Sequence, residues 1–304
     1  MVEVIRKKLM ISGSTMKRSA LFLALCGSIS AAASASDSAT AVPDLGAGAT
    51  YPVGVALGTF VGGFTSGPIQ VADVYYPKSA TPGQTFPLIS FAHGIFSGAT
   101  ATSLLYSNLL TQLAAAGYLV VAIDVCGTVC DLDAFAADQR HVIDVVRAGA
   151  SSSPLWALAN TSTVGLAGHS YGADASLVSG KVRRADVGAI WSMHPCPAPE
   201  LGGKIDVGRA AIAVNTGTLD TVCNPYGVLD YYNHLVAPSR FYFSLDFATH
   251  LEIENGYPER FNAYVPRFFD CHLRGDTDAC GRMYGGSGHS GVCKDLPMYE
   301  CHKA

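Results

Sequence analysis

The sequence predicts an α/β fold, with a mostly parallel central sheet and helices on both faces. Three observations predict it. Short runs rich in β-branched and apolar residues alternate with helical patterns along most of the chain. One of them, Tyr118–Val125, is nearly continuously apolar, as a strand covered on both faces must be. The 304 residues are 49% hydrophobic and only 14% charged, against a usual charged fraction of about 25%. That leaves ample material for a core and too little charge for a disordered or coiled-coil chain.

The chain opens on a targeting pattern. Lys17 and Arg18 precede the apolar run Ala20–Leu25, and small residues from Ser28 lead to Ala33-Ser34-Ala35. This charged, apolar, small-residue order predicts a secretory signal peptide over residues 1–35 and a secreted mature chain starting at Ser36. The apolar run is far shorter than the ~20 residues of a membrane span, and none is expected later. Removing the leader leaves 15 bases and 23 acids, a net charge of −8. No basic stripe remains to hold nucleic acid, which is excluded as a partner.

Strands are expected at Ile69–Tyr76, ending at Pro77, at Pro87–Ala92, and at Tyr118–Val125. Leu104–Ala115 reads as a helix stopped by Gly117, and Asp133–Ala148 as a second helix. Thr163–Ala167 is the next strand and Ala173–Val182 the next helix. Strands at Val187–Met193, Ala210–Val214 and Phe241–Leu245 follow, with helices near Val228–Leu235 and Pro258–Leu273. No repeat or linker interrupts residues 36–274, read as one domain. Residues 275–304 are rich in Gly and Cys and are read as a tail tied to it by disulfides. Without Cys26, eight cysteines remain, an even number suited to an oxidising compartment. Near neighbours are the expected pairs: Cys126 with Cys130, Cys271 with Cys280 and Cys293 with Cys301, leaving Cys196 with Cys223. The spacings lack paired C-x-x-C knuckles, so no metal site is expected.

Gly168-His169-Ser170-Tyr171-Gly172 stands between a predicted strand and a predicted helix. In that setting G-x-S-x-G is a nucleophile elbow, a strained turn that lifts the serine hydroxyl above the sheet. An acid and then a histidine should follow. Asp220 lies just past Ala210–Val214 and His250 just past Phe241–Leu245, at strand ends where an open sheet gathers its site. His250 is the candidate base and Asp220 the candidate acid, with Asp246 its competitor. Acyl transfer also needs oxyanion donors. The N–H of Tyr171 is one candidate and that of Ile95 the other, with Phe96 one position off. His169 and His93 are expected beside the site. His194 ends a strand and either borders the cleft, as a substrate-binding position with Phe96, or is a hydrogen-bonded structural histidine.

These residues resemble the α/β-hydrolase serine esterases over about Ile69–Leu273. Within that fold the chain looks like the lidless branch of chlorophyllases, dienelactone-hydrolase-like proteins and cutinase-like polyesterases. Phe86-Pro87-Leu88-Ile89-Ser90-Phe91-Ala92-His93-Gly94 is especially similar to the first and last of these. The nucleophile position is Ser170, whereas dienelactone hydrolases proper use cysteine. Two departures stand out. Gly172-Ala173-Asp174 replaces the branch's usual Gly-Gly, and no aromatic residue lies between His194 and Asp220, where polyesterases tend to place a tryptophan. Only about 18 residues separate Met193 from Ile212, too few for a cap domain. The short insertion predicts an open cleft suited to bulky or polymeric esters. The resemblance implies cleavage of carboxylic esters through an acyl-enzyme on Ser170; no cofactor is expected, and the oligomeric state is left open with a monomer favoured. The alternatives are another acyl bond (peptide or thioester), acyl transfer, or a non-catalytic binding protein on this scaffold.

Overall fold

A computed structural model describes residues 50–304, apart from residues 66, 68, 79–80, 96–100, 126–130, 183–184, 197–201, 256–259, 261 and 296–297. Its centre is a nine-stranded sheet. The chain enters it through an antiparallel pair, β1 (Val53–Val61) and β2 (Ile69–Pro77). The strands β3 (Phe86–Ala92), β4 (Leu119–Ile123), β5 (Ala159–His169), β6 (Val187–Met193), β8 (Ala211–Gly217) and β10 (Arg240–Leu245) then run parallel. The last strand, β11 (Met298–Lys303), closes the far edge antiparallel to β10. The spatial order is β1-β2-β4-β3-β5-β6-β8-β10-β11, and the two-residue strands β7 (Ile205–Asp206) and β9 (Leu235–Val236) form a separate small pair.

Every residue of β4, β6 and β8 is buried, because helices cover the sheet on both sides. One face carries α2 (Leu132–Gly149), α3 (Tyr171–Lys181) and α4 (Pro225–His234), packed over Leu88, Val121, Leu166, Ile190 and Ile212. The other carries α1 (Ala101–Ala115), α5 (Tyr264–Phe269) and α6 (Thr277–Tyr284), packed over Ile89, Phe91, Trp191 and Phe243. Helix starts are set locally. Asp131 accepts the N–H of Ala134 ahead of α2, and Asn224 accepts that of Tyr226 ahead of α4, where Pro225 takes a first-turn position that needs no N–H. Among the described residues no helix is long and apolar enough to cross a membrane.

The structure departs from the sequence reading in three places. β1 carries no strand signal, because its outward face has Val55 and Leu57, the latter 72% exposed, while its inward face uses Gly54, Ala56 and Gly58. That arrangement reverses the usual alternation. Gly54 lies opposite Tyr76, whose ring occupies the space a Cβ would need. β11 was also missed, since a half-exposed edge strand with charged residues carries no buried run. The helix expected over Pro258–Leu273 begins only at Tyr264. It tolerates Pro266 in its first turn, widens into a π-type turn over Asp270–Arg274, and ends at Gly275 in the left-handed region. The tail also forms the short helix α7 (Val292–Asp295). Cys271–Cys280, Cys293–Cys301 and Cys196–Cys223 are disulfides; Cys126 and Cys130 lie outside the described residues.

Candidate active site

Strand β5 delivers Ser170 into the turn that starts α3. The turn is tight because both glycines lack a Cβ. One on Gly168 would run into the backbone of Gly172, and one on Gly172 into the carbonyls of Ala92 and His93. Ser170 itself sits at φ 55°, ψ −124°, a conformation that is costly for any residue with a side chain. The strain is held by packing on both sides and by the Ser170 N–H, which donates to the Met193 carbonyl at 2.9 Å.

The three strand ends bring Ser170, His250 and Asp220 together. His250 Nδ1 donates to Asp220 Oδ2 at 2.9 Å, which fixes the tautomer and leaves Nε2 as the acceptor. Ser170 Oγ lies 2.9 Å from that Nε2, so the hydroxyl donates to it. All three residues are buried, at 4–6% exposure. Asp220 Oδ1 accepts the backbone N–H groups of Val222 and Cys223. Burial by itself would raise the Asp220 carboxyl, but the hydrogen bonds from His194 and His250 outweigh it and hold the group well below the usual carboxylate range. The competitor Asp246 does not reach the histidine. Its carbonyl accepts Arg260 Nη1 at 2.6 Å, and its side chain lines a separate cavity with Tyr226, Tyr299 and Glu300.

Of the oxyanion candidates, Tyr171 follows Ser170 in the chain and Ile95 follows Gly94. Tyr171 is the first residue of α3, at the positive end of the helix dipole, which favours negative charge. The loop carrying Ile95 packs directly on the serine, since a Cβ on Gly94 would lie 3.3 Å from Ser170 Cβ. Phe96 lies outside the described residues.

Of the two readings of His194, the structure shows the hydrogen-bonded one, which corrects the expectation of a substrate-binding position. His194 is fully buried, sits at φ 48°, and its Nδ1 donates to Asp220 Oδ2 at 3.0 Å. Trp191, within β6, is fully buried too and donates to Asn215 Oδ1.

Sequence reasoning missed Tyr106. His169 Nε2 faces the His250 carbonyl at 2.8 Å and must donate to it, so its Nδ1 is the acceptor for the Tyr106 hydroxyl at 2.9 Å. That hydroxyl in turn accepts the Gly94 N–H at 3.1 Å. Burial holds His169 well below the ordinary imidazole range, consistent with this neutral form. One chain of hydrogen bonds thus joins the Ile95 loop, α1, the elbow and the His250 loop. A tyrosine in an amphipathic helix carries no sequence signal for such a role. Arg260 was missed likewise. It pairs with buried Glu252 at 2.8 Å while holding the Asp246 carbonyl, bracing both sides of His250.

His194, Asp220 and His250 could between them offer atoms to a metal ion, all within 4.8 Å. Their protons are already committed, however, with two imidazole N–H groups converging on one carboxylate oxygen. The arrangement is equipped to move a proton from Ser170 to His250 and to stabilise the resulting imidazolium. That is what acyl transfer to a serine requires. A family model described as "PETase: PET hydrolase-like" matches residues 46–290. No curated protein matches the chain.

Proposed function

Because the chain belongs to the PET hydrolase-like family, an α/β-hydrolase family of carboxylic ester hydrolases, we propose that Ser170, His250 and Asp220 cleave bulky or polymeric esters outside the cell. Ser170 Oγ attacks the ester carbonyl as His250 Nε2 takes its proton. The tetrahedral oxyanion rests on the N–H groups of Tyr171 and Ile95. Collapse expels the alcohol, which leaves with the proton from His250. Water then repeats the sequence on the acyl-enzyme, giving its proton to His250 and releasing the acid with Ser170 restored. Asp220 holds the imidazole and balances its charge.

The observation that carries the mechanism is the unbroken line Ser170 Oγ–His250 Nε2 and His250 Nδ1–Asp220 Oδ2, with both links at 2.9 Å. The substrate class is supported by the surroundings. Between β6 and β8 the described residues include only the two-residue β7, with no cap domain. The loops bearing Asp220 and His250 expose Leu219, Val222 and Phe247, apolar side chains that would meet a hydrophobic chain. The three disulfides among the described residues support an oxidising destination, with cleavage of the leader before Ser36.

The test is hydrolysis of p-nitrophenyl acetate, butyrate and octanoate, and of amorphous poly(ethylene terephthalate) film, by residues 36–304 beside Ser170→Ala. Activity on esters and film that disappears in the variant supports the proposal. Ester cleavage without soluble products from the film would leave the mechanism standing and remove the polymer. N-terminal sequencing of the exported protein tests Ser36.

A further inference from the structure

We propose that His194 is a positioning residue that sets the strength of the Asp220–His250 pair by sharing one carboxylate oxygen with the base. This rests on Ser170, His250 and Asp220 being the catalytic triad. Asp220 Oδ2 accepts two imidazole donors, His250 Nδ1 at 2.9 Å and His194 Nδ1 at 3.0 Å. Its other oxygen accepts two backbone N–H groups. Four donors therefore fix the carboxylate in rotation as well as in place.

Three features build the site around this contact. His194 is fully buried and occupies a left-handed backbone position at φ 48°, a cost a β-strand end need not carry for packing alone. Its N–H donates to the Asn215 carbonyl at 2.8 Å, which anchors it to β8, the strand leading to Asp220. The Cys196–Cys223 disulfide then joins the residue two beyond His194 to the residue three beyond Asp220, so both partners are covalently tied.

A neutral second donor has a defined electronic consequence. It draws charge from Oδ2 and so moderates the attraction between Asp220 and the imidazolium of His250. Burial keeps His194 below the ordinary imidazole range, so it donates as a neutral ring. The groups around it are Asp220 on the loop after β8, His250 and Glu252 on the loop after β10, and His169 on the elbow.

The test compares His194→Asn with His194→Phe. The Asn amide nitrogen falls where Nδ1 was, and Asn tolerates the left-handed backbone. Phe keeps the ring and loses the donor. With p-nitrophenyl butyrate, His194→Phe is expected to lower kcat about 10- to 100-fold with KM within about threefold, as a displaced catalytic group does. The acid limb of its kcat/KM profile should move up by about half a pH unit or more, because the unshared carboxylate favours protonated His250. His194→Asn should restore kcat to within about fivefold of the parent and return the limb. If His194→Phe does not fold, judged by near-UV circular dichroism, His194→Gln replaces it, since its amide sits one bond too far out. An unmoved acid limb in the donor-less variant, or equal losses in His194→Asn, overturns the proposal. Ser170→Ala run alongside separates the two readings. If Ser170→Ala remains active, the triad itself is wrong. If it is dead while the donor-less variant matches the parent, only the role of His194 falls.

Discussion

His169 Nε2 donates to the backbone carbonyl of His250 at 2.8 Å, so the residue before the nucleophile holds the loop that carries the base. The link continues through His169 Nδ1 to Tyr106 and from there to Gly94. Tyr106→Phe removes one hydroxyl and leaves both His169 Nδ1 and the Gly94 N–H without that partner. A buried polar group stripped of its hydrogen bond costs about 1–3 kcal/mol. The expected outcome is a Tm several degrees lower, with kcat down about tenfold and KM little changed, since the Ile95 loop and His250 both shift. Thermal denaturation and ester kinetics on one preparation check it.

The identity of the acid is decided by a pair of variants. Asp220→Asn keeps the shape but loses the charge that stabilises the imidazolium, and a loss of about 10⁴-fold in kcat is expected. Asp246→Asn, whose carboxylate does not touch His250, should stay within about twofold of the parent. A reversed ranking in steady-state kinetics would reassign the role.

Much of this was legible beforehand for a local reason. G-x-S-x-G announces itself because its residues fall within five positions and Gly168 serves a contact inside that turn, although Gly172 makes room for the distant carbonyls of Ala92 and His93. The parallel strands announce themselves because helices bury both faces. The order Ser170, Asp220, His250 then follows from strand order. What escaped is tertiary. The sequence leaves His194 between a cleft residue and a hydrogen-bonded one, because a strand's C-terminal end usually faces the site; its buried ring, at a positive φ, donates to Asp220. Tyr106 and Arg260 act across 63 and 14 residues of chain, at His169 and the Asp246 carbonyl, a separation no periodicity reveals. The strand β11 is polar enough to pass for tail, and only its register against Phe241–Leu245 defines it.

The Arg260–Glu252 pair should be structural as well as positional. Glu252 is 5% exposed at its side chain and Arg260 26%, so Arg260→Met strands a nearly buried carboxylate. The cost should be on the order of 2 kcal/mol, below the ~3–5 of a fully buried pair because the arginine is partly screened. Adding Glu252→Gln to the same chain should recover part of it. Urea denaturation of the two variants and the double variant measures the coupling.

Acid should destabilise the fold through its buried neutral histidines. Burial lowers His272 to about 4, against an ordinary imidazole near 6.5 in the unfolded chain. Between those values the unfolded chain binds a proton there that the folded chain does not, so stability falls as pH drops from about 6.5 to 4 and is level above it. His93, His169 and His194 are shifted in the same direction by burial. Asp220, held low, adds its own loss below about pH 4. The Tm should therefore fall from about pH 6.5 to pH 4.5, and His272→Gln should flatten that slope. A flat profile in the parent chain would contradict it.

The most direct measurement is mass spectrometry of residues 36–304 after treatment with a fluorophosphonate. A single adduct on the peptide containing Ser170 is expected, formed slowly or not at all in His250→Ala, because the hydroxyl is nucleophilic only beside its base. An unlabelled protein, or an adduct on another serine, would contradict the assignment of Ser170 as the nucleophile.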